Sequence, residues 1–236
     1  MRIAVLEDDA AQAELLQSWF NAAGHKCRLF STGTDFRTAL MHDTFDLLVL
    51  DWNLPDTSGT DVLAWVRENM DWHIPVLFAT SREQEEDIVF ALEHGADDYM
   101  TKPVKQRETL ARIAALERRT HPATEPDTML ELGPFGFDIA NRQVRIGADT
   151  VELTNKEFEL ALLLFRNPGR LLSRSYLLEN VWGTSAELST RTVDTHISRV
   201  RNKLGIHPDR GVRLSAIYNH GYRLEQLQAT GASASP

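Results

Sequence analysis

The chain lacks the features that mark several classes of protein. It has one cysteine in 236 residues, Cys27, so it cannot form an internal disulfide, and a reducing cytoplasm fits this composition best. No segment approaches the roughly 20 consecutive apolar residues that a helix needs to cross a bilayer, and we expect no membrane association. The first nine residues turn acidic after a short apolar run, so we expect no secretory signal there.

A general excess of positive charge is also missing. The net charge is −9, and residues 1–120 hold 12 basic and 21 acidic side chains. Residues 121–236 hold 13 of each kind, but the segment 189–223 has seven basic side chains and only two acidic ones. The overall balance argues against nucleic acid as a partner, whereas the local excess argues for it.

The first half of the chain alternates short apolar runs with helical patterns. Apolar runs cover residues 3–6, 47–50 and 76–80, and a last short strand lies around Tyr99. Helical patterns cover residues 10–23, 59–69, 85–94 and 109–119. This alternation predicts an α/β domain over residues 1–119, with a doubly wound parallel sheet covered on both faces.

The second half has a different pattern. Residues 120–128 are polar with two prolines and predict a linker. Short alternating pieces in 130–153 predict an antiparallel sheet, and Thr154 with Glu157 forms a capping box that opens a helix. We expect further helices at 174–181 and 190–204, a hairpin over 212–224 that turns near Asn219, and a disordered tail at 227–236. The second domain then spans residues 129–226.

Chemically specific side chains follow the strands of the first half. Glu7, Asp8 and Asp9 follow the first strand, Asp51 the third, Thr80 ends the fourth, and Lys102 follows the fifth. The carboxyl ends of parallel strands meet in one crevice. Converging carboxylates need a cation, and oxygen ligands suit Mg²⁺. An aspartate nucleophile, a metal, a lysine and a hydroxyl together predict phosphoryl transfer. Any one of these residues alone is equally typical of a polar loop.

These residues lie in motifs that resemble the receiver domain of bacterial response regulators, which has a five-stranded sheet. The motifs are Val5-Leu6-Glu7-Asp8-Asp9, Leu50-Asp51-Trp52-Asn53-Leu54-Pro55 with Gly59, Ala79-Thr80-Ser81, and Gly95-Ala96-Asp97-Asp98-Tyr99-Met100-Thr101-Lys102-Pro103. The resemblance implies that Asp51 accepts a phosphoryl group from a sensor histidine kinase. Thr80 and Lys102 would contact the phosphate, Thr80 and Tyr99 would form the switch, and Lys102–Pro103 would be a cis peptide. The implied Mg²⁺ ligands are Glu7 (in support), Asp8, Asp51 and the carbonyl of Asn53.

The same resemblance implies that phosphorylation produces a homodimer through the fourth helix, fifth strand and fifth helix. Ile88 occupies a position that is usually basic in the family, so we expect Glu108 to lack its usual partner. The interface would then depend more on Ile88, Val89 and Leu92. The residues available on this face are Ile88, Val89, Leu92, Glu93, Asp97, Asp98, Glu108, Arg112 and Arg119.

The helix expected at 190–204 has two contrasting faces. Val193, Ile197, Val200 and Leu204 form one narrow apolar stripe, which predicts docking on a core. The opposite face is polar and basic and suits DNA bases and phosphates, although a solvated helix face has the same pattern. Residues opposite the stripe are Arg191, Asp194, Thr195, Ser198, Arg199 and Asn202.

The second half resembles the winged-helix effector domain of the OmpR/PhoB-type regulators, an α+β winged helix-turn-helix. The matching motifs are Leu153-Thr154, Glu157-Phe158, Pro168-Gly169-Arg170, Ser173-Arg174, Val181-Trp182, Arg191-Thr192-Val193-Asp194, His196-Ile197-Ser198-Arg199-Val200-Arg201, Lys203-Leu204-Gly205 and Gly221-Tyr222-Arg223. The resemblance implies that a dimer binds double-stranded DNA with tandem half-sites, with RNA polymerase as a candidate partner. Asp194, Thr195 and Arg199 would face bases. The backbone would be contacted by Trp182, Arg191, Thr192, His196, Arg201 and Tyr222.

The wing departs most from the family pattern. Tyr218 and Asn219 stand where a basic residue and a glycine are usual, and Ser215 replaces another basic position. Asn219 can adopt the left-handed conformation that a glycine would supply. Tyr218 cannot place a cation in the minor groove, so we expect weak discrimination for A·T-rich flanks.

Three functions compete. The leading one is a phosphorylation-controlled transcription factor, which is not an enzyme with a substrate of its own. An aspartyl-phosphate phosphatase would carry a second aspartate in place of Asn53 and would need a substrate pocket. A DNA-binding regulator whose receiver no longer takes phosphate would not need the complete set of Asp8, Asp51, Thr80 and Lys102.

Overall fold

The computed structural model describes residues 1–70, 72–120, 128–183 and 190–227. The chain divides into two compact units, Met1–Ala123 and Thr124–Pro236, and each is described by itself. Most of the expected linker and all of the expected tail after Leu227 lie outside the described residues. Within these ranges, no helix is both long enough and apolar enough to span a bilayer.

The first unit is built on a parallel sheet of five strands with the order β2-β1-β3-β4-β5. The predicted doubly wound α/β fold is confirmed. The strands are β1 (Arg2–Leu6), β2 (Lys26–Phe30), β3 (Leu47–Leu50), β4 (Val76–Thr80) and β5 (Asp98–Thr101). The helices are α1 (Ala10–Ala22), α2 (Gly33–His42), α3 (Gly59–Asn69), α4 (Glu85–Glu93) and α5 (Gln106–Thr120).

Alternation along the strands creates two cores, one on each face of the sheet. Successive side chains of a strand point to opposite faces. In β3, Leu48 packs in the core that contains residues of α2, α3 and α4, whereas Leu47 and Val49 pack in the core that contains residues of α1 and α5. Both faces are buried, which explains why the central strands are continuous apolar runs.

Two elements of this unit were not located from the sequence. Strand β2 lies at the edge of the sheet, and its Lys26 and Arg28 side chains are exposed, so it presents no apolar run. Helix α2 follows it, between Gly33 and His42. Helix α5 begins at Gln106, three residues before the predicted start, because its first residues are polar and lie outside the apolar periodicity.

The second unit combines helices with two antiparallel sheets. One sheet has the order β6-β7-β8-β9 and confirms the prediction for residues 130–153, and the other has the order β10-β12-β11. The strands are β6 (Met129–Leu132), β7 (Phe135–Asp138), β8 (Gln143–Ile146), β9 (Asp149–Val151), β10 (Leu171–Ser173), β11 (Val212–Ile217) and β12 (Gly221–Gln226). The helices are α6 (Asn155–Phe165), α7 (Arg174–Trp182) and α8 (Arg191–Leu204), with a 3₁₀ turn at Pro208–Arg210.

The apolar stripe of α8 is buried in the core of this unit, as the sequence predicts. Val193, Ile197, Val200 and Leu204 are at most 2% exposed and pack in the cluster that contains the aromatic residues of β7 and α6. The opposite face of α8 is therefore directed away from that core. The β11–β12 hairpin turns where predicted, and Asn219 has a φ of 56°, in the left-handed region.

The start of α6 is joined to the end of α8 by one buried carboxylate. The side chain of Glu157 accepts a hydrogen bond from the Thr154 backbone at 2.8 Å and one from Lys203 Nζ at 2.7 Å. Burial opposes the charge of Glu157, but the hydrogen bonds from Lys203 and Thr154 outweigh it and lower the pKa of this carboxyl. The predicted capping box is confirmed, and it also fixes α8.

Replacement of Glu157 by alanine is expected to destabilise the second unit by about 1.5–3 kcal/mol, the usual contribution of a hydrogen bond to a charged group, because Lys203 and the Thr154 N–H lose their acceptor. Because the pKa is lowered in the folded state, this contribution is present at neutral pH and is lost as the pH falls through that pKa. Hydrogen exchange of the full chain, followed by mass spectrometry on the α6 and α8 peptides, measures the effect. Glu152→Ala, at an exposed position before the cap, is the control. Equal protection in both variants would contradict the assignment.

Candidate functional site

Three carboxylates meet at the carboxyl ends of β1 and β3. Glu7 and Asp8 follow β1, Asp51 follows β3, and one oxygen of each lies within 4.8 Å of the others. Glu7 and Asp51 are buried, with 3% and 6% exposure, whereas Asp8 is exposed. Backbone hydrogen bonding holds this edge, since the Asp51 N–H donates to the Leu6 carbonyl at 2.9 Å. The structure therefore brings together the acidic residues that the sequence placed at strand ends.

Lys102 connects two of these carboxylates. Its Nζ lies 2.7 Å from Asp51 Oδ2 and 2.8 Å from Glu7 Oε2. The Lys102–Pro103 peptide is cis, as the family resemblance implies. Burial raises the pKa of Glu7, and Lys102 only partly offsets this effect. Burial disfavours the ammonium of Lys102, but its hydrogen bonds to Asp51 and Glu7 outweigh burial and raise its pKa.

The residues fit a hard divalent cation. Three carboxylates against one ammonium leave the cluster short of positive charge, and carboxylate oxygens are suitable ligands for Mg²⁺. Asn53 follows Asp51 closely in the loop, and its N–H points toward Asp51 Oδ1 at 3.5 Å. Its carbonyl as a further ligand stays a prediction.

The loop after β3 depends on Gly59. Its N–H donates to the Trp52 carbonyl at 2.8 Å, and a Cβ atom at this position would lie 2.1 Å from the Asp51 carbonyl oxygen. Since real Cβ atoms do not approach backbone oxygen so closely, any other residue would push the loop away from the pocket. The Trp52 N–H donates to Asp51 Oδ1 at 2.6 Å, so this loop also orients the carboxylate.

Thr80 and Tyr99, the predicted switch residues, both contact the backbone of Arg82. Thr80 is fully buried at the end of β4, and its Oγ1 accepts from the Arg82 N–H at 3.4 Å. The Tyr99 hydroxyl donates to the Arg82 carbonyl at 2.8 Å. Tyr99 lies inward, and burial raises its pKa to about 12. A movement of the Thr80 hydroxyl would thus displace the backbone of Arg82, which is hydrogen-bonded to Tyr99.

The side chain of Arg82 has contacts that the sequence did not reveal. Its guanidinium carbon lies 4.9 Å from the centre of the Trp52 ring, and Nη1 lies 3.2 Å from Asp87 Oδ1 at the start of α4. Trp52 also contacts Phe90 of α4, with ring centres 6.0 Å apart. The sequence alone does not reveal these contacts, because a stacked pair 30 residues apart in the chain has no sequence signal.

The second unit presents a polar and basic face on α8. Arg191, Thr195, Ser198, Arg199 and Asn202 are exposed. Among the described residues, none is a hydrogen-bond or ion-pair partner of the Arg199 side chain. Such a face can reach base edges while its cations contact phosphates.

Comparisons with known proteins match both units. Residues 3–114 match the response regulator receiver domain, and residues 148–224 match the C-terminal domain of transcriptional regulatory proteins. The sensory transduction protein RegX3 of Mycobacterium tuberculosis is 36% identical over 225 residues, which cover 94% of this chain and 98% of that protein. The DNA-binding response regulator MtrA of Mycobacterium bovis is 34% identical over 222 residues, covering 94% and 96%.

The chain belongs to the OmpR/PhoB family of two-component response regulators. A solved structure of the response regulator DrrB, described as a Thermotoga maritima OmpR/PhoB homologue, is 29% identical. It covers 95% of this chain and 98% of its own, with a TM-score of 0.46.

Most of the charged residues expected on the dimer face of this response regulator have partners within the chain. Arg112 contacts Asp98 at 2.9 Å and Glu108 at 2.9 Å, so Glu108 has a partner on its own helix. The Asp97 carboxylate accepts hydrogen bonds from Arg67 at 2.9 Å and from the Val76 N–H at 2.8 Å. Arg119 lies near the Asp97 carbonyl, at 3.5 Å, and Glu93 is exposed.

The apolar part of the same face is exposed on α4. Val89 and Leu92 are 43% and 44% exposed, whereas Ile88 is half-buried against the core. Phe90 is 42% exposed, although it was not predicted from the sequence to lie on this face. Its ring stacks on His94, with ring centres 3.9 Å apart.

Several residues expected to contact DNA have partners within the second unit of the regulator. Tyr222 is 6% exposed and donates its hydroxyl to Asp194, and Arg201 donates to the Leu214 carbonyl at 2.9 Å. The rings of His196 and Trp182 pack at a steep angle, with ring centres 4.9 Å apart. The remaining predicted contact, Thr192, is half-buried, and its carbonyl lies 2.9 Å from His196 Nδ1.

Replacement of Lys102 by methionine is expected to tighten Mg²⁺ binding on the order of tenfold, because the ammonium no longer competes for Asp51 and Glu7. Calorimetric titration of the full chain with MgCl₂ at fixed ionic strength measures the affinity. Lys105→Met, at an exposed position nearby, is the control for the change in net charge. An unchanged or weaker affinity in Lys102→Met alone would contradict the view that the lysine shares the metal's ligands.

Proposed function

We propose that this regulator is a transcription factor controlled by phosphorylation of Asp51. A sensor histidine kinase supplies the phosphoryl group, and the phosphorylated chain forms a homodimer that binds tandem half-sites on double-stranded DNA in the cytoplasm. The observation that carries the proposal is the pocket itself: Asp51 is buried beside Glu7 and Asp8, with Lys102 Nζ at 2.7 Å.

The pocket is suited to an in-line transfer to Asp51. A carboxylate oxygen of Asp51 attacks the phosphorus of a phosphohistidine, so the P–O bond of an acyl phosphate forms while the P–N bond breaks and the imidazole leaves. Bound Mg²⁺ would neutralise charge that develops on the phosphoryl oxygens, with Asp8, Asp51 and the Asn53 carbonyl as ligands and Glu7 in support. Lys102 donates a hydrogen bond to Asp51 before the transfer. After the transfer it donates to an oxygen of the phosphoryl group instead.

Thr80 is the hydroxyl placed to detect the new group. It ends β4, fully buried, and its hydrogen bond with Arg82 leads to the hydroxyl of Tyr99. A shift of Thr80 toward the phosphoryl group therefore changes the loop that supports α4 and Tyr99. This route supports coupling between the pocket and the dimer face.

The dimer face combines exposed apolar residues with charges paired inside the chain. Val89 and Leu92 of α4 are the exposed apolar contacts, and Arg112 is held by Asp98 and Glu108. Because these charges already have partners, the interface is expected to depend mainly on apolar burial. RNA polymerase is a candidate partner of the DNA-bound form.

Two other functions have less support. An aspartyl-phosphate phosphatase would carry a second aspartate two residues after the nucleophile, but Asn53 occupies that position. A regulator that acts without receiver phosphorylation would not need the buried arrangement of Asp51, Thr80 and Lys102. The family itself consists of transcription regulators.

Acetyl phosphate is expected to add one phosphoryl group to the wild-type chain in the presence of Mg²⁺. Asp51→Ala and a sample treated with a chelator should gain none, because the nucleophile or the charge neutralisation is missing. Intact mass spectrometry measures the product. Asp56→Ala, in the same loop but exposed, is the control. Undiminished labelling of Asp51→Ala would refute the assignment.

The same phosphorylated sample should sediment as a dimer at tens of micromolar, roughly the concentration range of weak interfaces. Leu92→Asp should accept phosphate normally and remain a monomer, because a buried charge opposes association. A wild-type monomer after complete phosphorylation would count against this interface.

Base reading is expected to depend on Arg199, while Arg191 contributes affinity for any sequence. Arg199→Ala should relax the preference at one base position, at a cost of about 1–3 kcal/mol. Arg191→Ala should weaken binding to all sequences and reduce the slope of the salt dependence by about 0.9 for each phosphate that is no longer neutralised. Binding of the phosphorylated chain to duplexes selected from a randomised pool, at several salt concentrations, measures both effects. An unchanged base preference in Arg199→Ala would show that α8 docks differently.

A further inference from the structure

The Asp194 side chain on α8 is held by donors from two other elements. Its Oδ1 accepts a hydrogen bond from Arg174 Nε at 2.9 Å and one from the Tyr222 hydroxyl at 2.7 Å. Arg174 is the first residue of α7, and Tyr222 is the second residue of β12. The Arg174 guanidinium also lies over the Tyr222 ring, 5.0 Å from its centre. One carboxylate oxygen therefore joins α7, α8 and β12.

We propose that Asp194 is a positioning residue, which fixes α8 against α7 and the wing so that Thr195, Ser198, Arg199 and Asn202 meet the bases. The proposal rests on the proposed function, since it concerns how the DNA-binding domain reads sequence. It assigns Asp194 and Tyr222 a role different from the direct DNA contacts that the family resemblance implies.

Hydrogen-bond capacity supports this role. A carboxylate oxygen has two lone-pair directions, and Arg174 and Tyr222 use those of Asp194 Oδ1. Both are hydrogen bonds to an ionised group, which are shorter and stronger than neutral ones. Tyr222 is 6% exposed, so its hydroxyl would be left in a poorly solvated site without this acceptor. The orientation of the carboxylate is therefore set by the protein before DNA arrives.

A second anchor two helical turns further along α8 completes the arrangement. Arg201 donates to the Leu214 carbonyl of β11 at 2.9 Å. Asp194 and Arg201 are seven residues apart, so they lie on nearly the same side of α8 and about 10 Å apart along its axis. On the hairpin, Tyr222 pairs with Ala216, two residues beyond Leu214. Two attachment points along one helix fix its direction relative to the wing, which a single contact cannot do.

Charge also favours this role. A carboxylate on a helix that approaches a phosphate backbone is repelled by it. The Arg174 guanidinium, 2.9 Å away, offsets this charge locally. The accessible side of α8 then presents short polar side chains and one cation: Thr195, Ser198, Asn202 and Arg199.

The test uses the phosphorylated full-length chain and duplexes selected from a randomised pool by the wild type. Base preferences are then compared for Asp194→Asn, Asp194→Ala, Tyr222→Phe, the double variant Asp194→Ala/Tyr222→Phe, and Arg199→Ala. Asparagine keeps an oxygen that can accept from Arg174 and Tyr222, so it serves as the conservative rescue. Affinity for a scrambled duplex and the far-ultraviolet circular dichroism spectrum report whether each variant retains its fold and general DNA affinity.

If Asp194 positions α8, Asp194→Ala and Tyr222→Phe each reduce discrimination at several base positions together, by about tenfold, the fold-change expected for one lost hydrogen bond to a charged group. The double variant is then no worse than the stronger single one, and Asp194→Asn retains the wild-type preference. Arg199→Ala differs by losing preference at one position.

Other outcomes overturn the proposal. If Asp194→Ala and Asp194→Asn change the preference at a single base position while Tyr222→Phe changes none, Asp194 reads a base directly. If no variant at these positions alters the preference, α8 is positioned by other contacts. If the wild type selects no preferred sequence, the proposed function fails and the positioning role fails with it. The first two outcomes differ from this one, because in them the wild type still selects a sequence and only the positioning role fails.

Discussion

The ammonium of Lys102, shared between Asp51 and Glu7, is the interaction on which the first unit's chemistry depends. Two buried carboxylates next to each other are unstable as anions unless a cation stands between them. Lys102 supplies that cation from the residue that follows β5. The parallel sheet brings these strand ends together, and the two cores on its faces hold the strands in place. A pocket built this way keeps the carboxylate of Asp51, the proposed phosphoacceptor, in a partly desolvated site.

The second unit uses paired charges for a different purpose. Glu157 joins α6 to α8 through Lys203, and Asp194 joins α8 to α7 and the wing through Arg174 and Tyr222. The apolar stripe of α8 fixes which face of the helix is buried, but a stripe alone allows sliding and rotation. The directional hydrogen bonds remove that freedom. Under the proposed function, these internal contacts set how a few side chains of α8 meet DNA.

The sequence predicted the central strands, most helices and the acidic pocket because each has a local signal. Apolar runs mark β3 and β4, a capping box marks α6, and Asp51 and Thr80 stand where strands end. Strand β2 has no such signal, because at the sheet edge its side chains alternate between solvent and the sheet. The contacts of Arg82 with Trp52 and of Tyr222 with Asp194 join residues about 30 positions apart. They depend on the tertiary arrangement, which periodicity does not encode.

The central claim is that phosphorylation at the pocket controls DNA binding at α8. The most direct measurement is a fluorescence anisotropy titration of the full-length chain on a labelled duplex with two tandem half-sites, with and without phosphoramidate in Mg²⁺ buffer. The account predicts tighter binding only with the donor, and no change with the donor for Asp51→Asn. Equal affinity in the wild type with and without stoichiometric phosphorylation would contradict it.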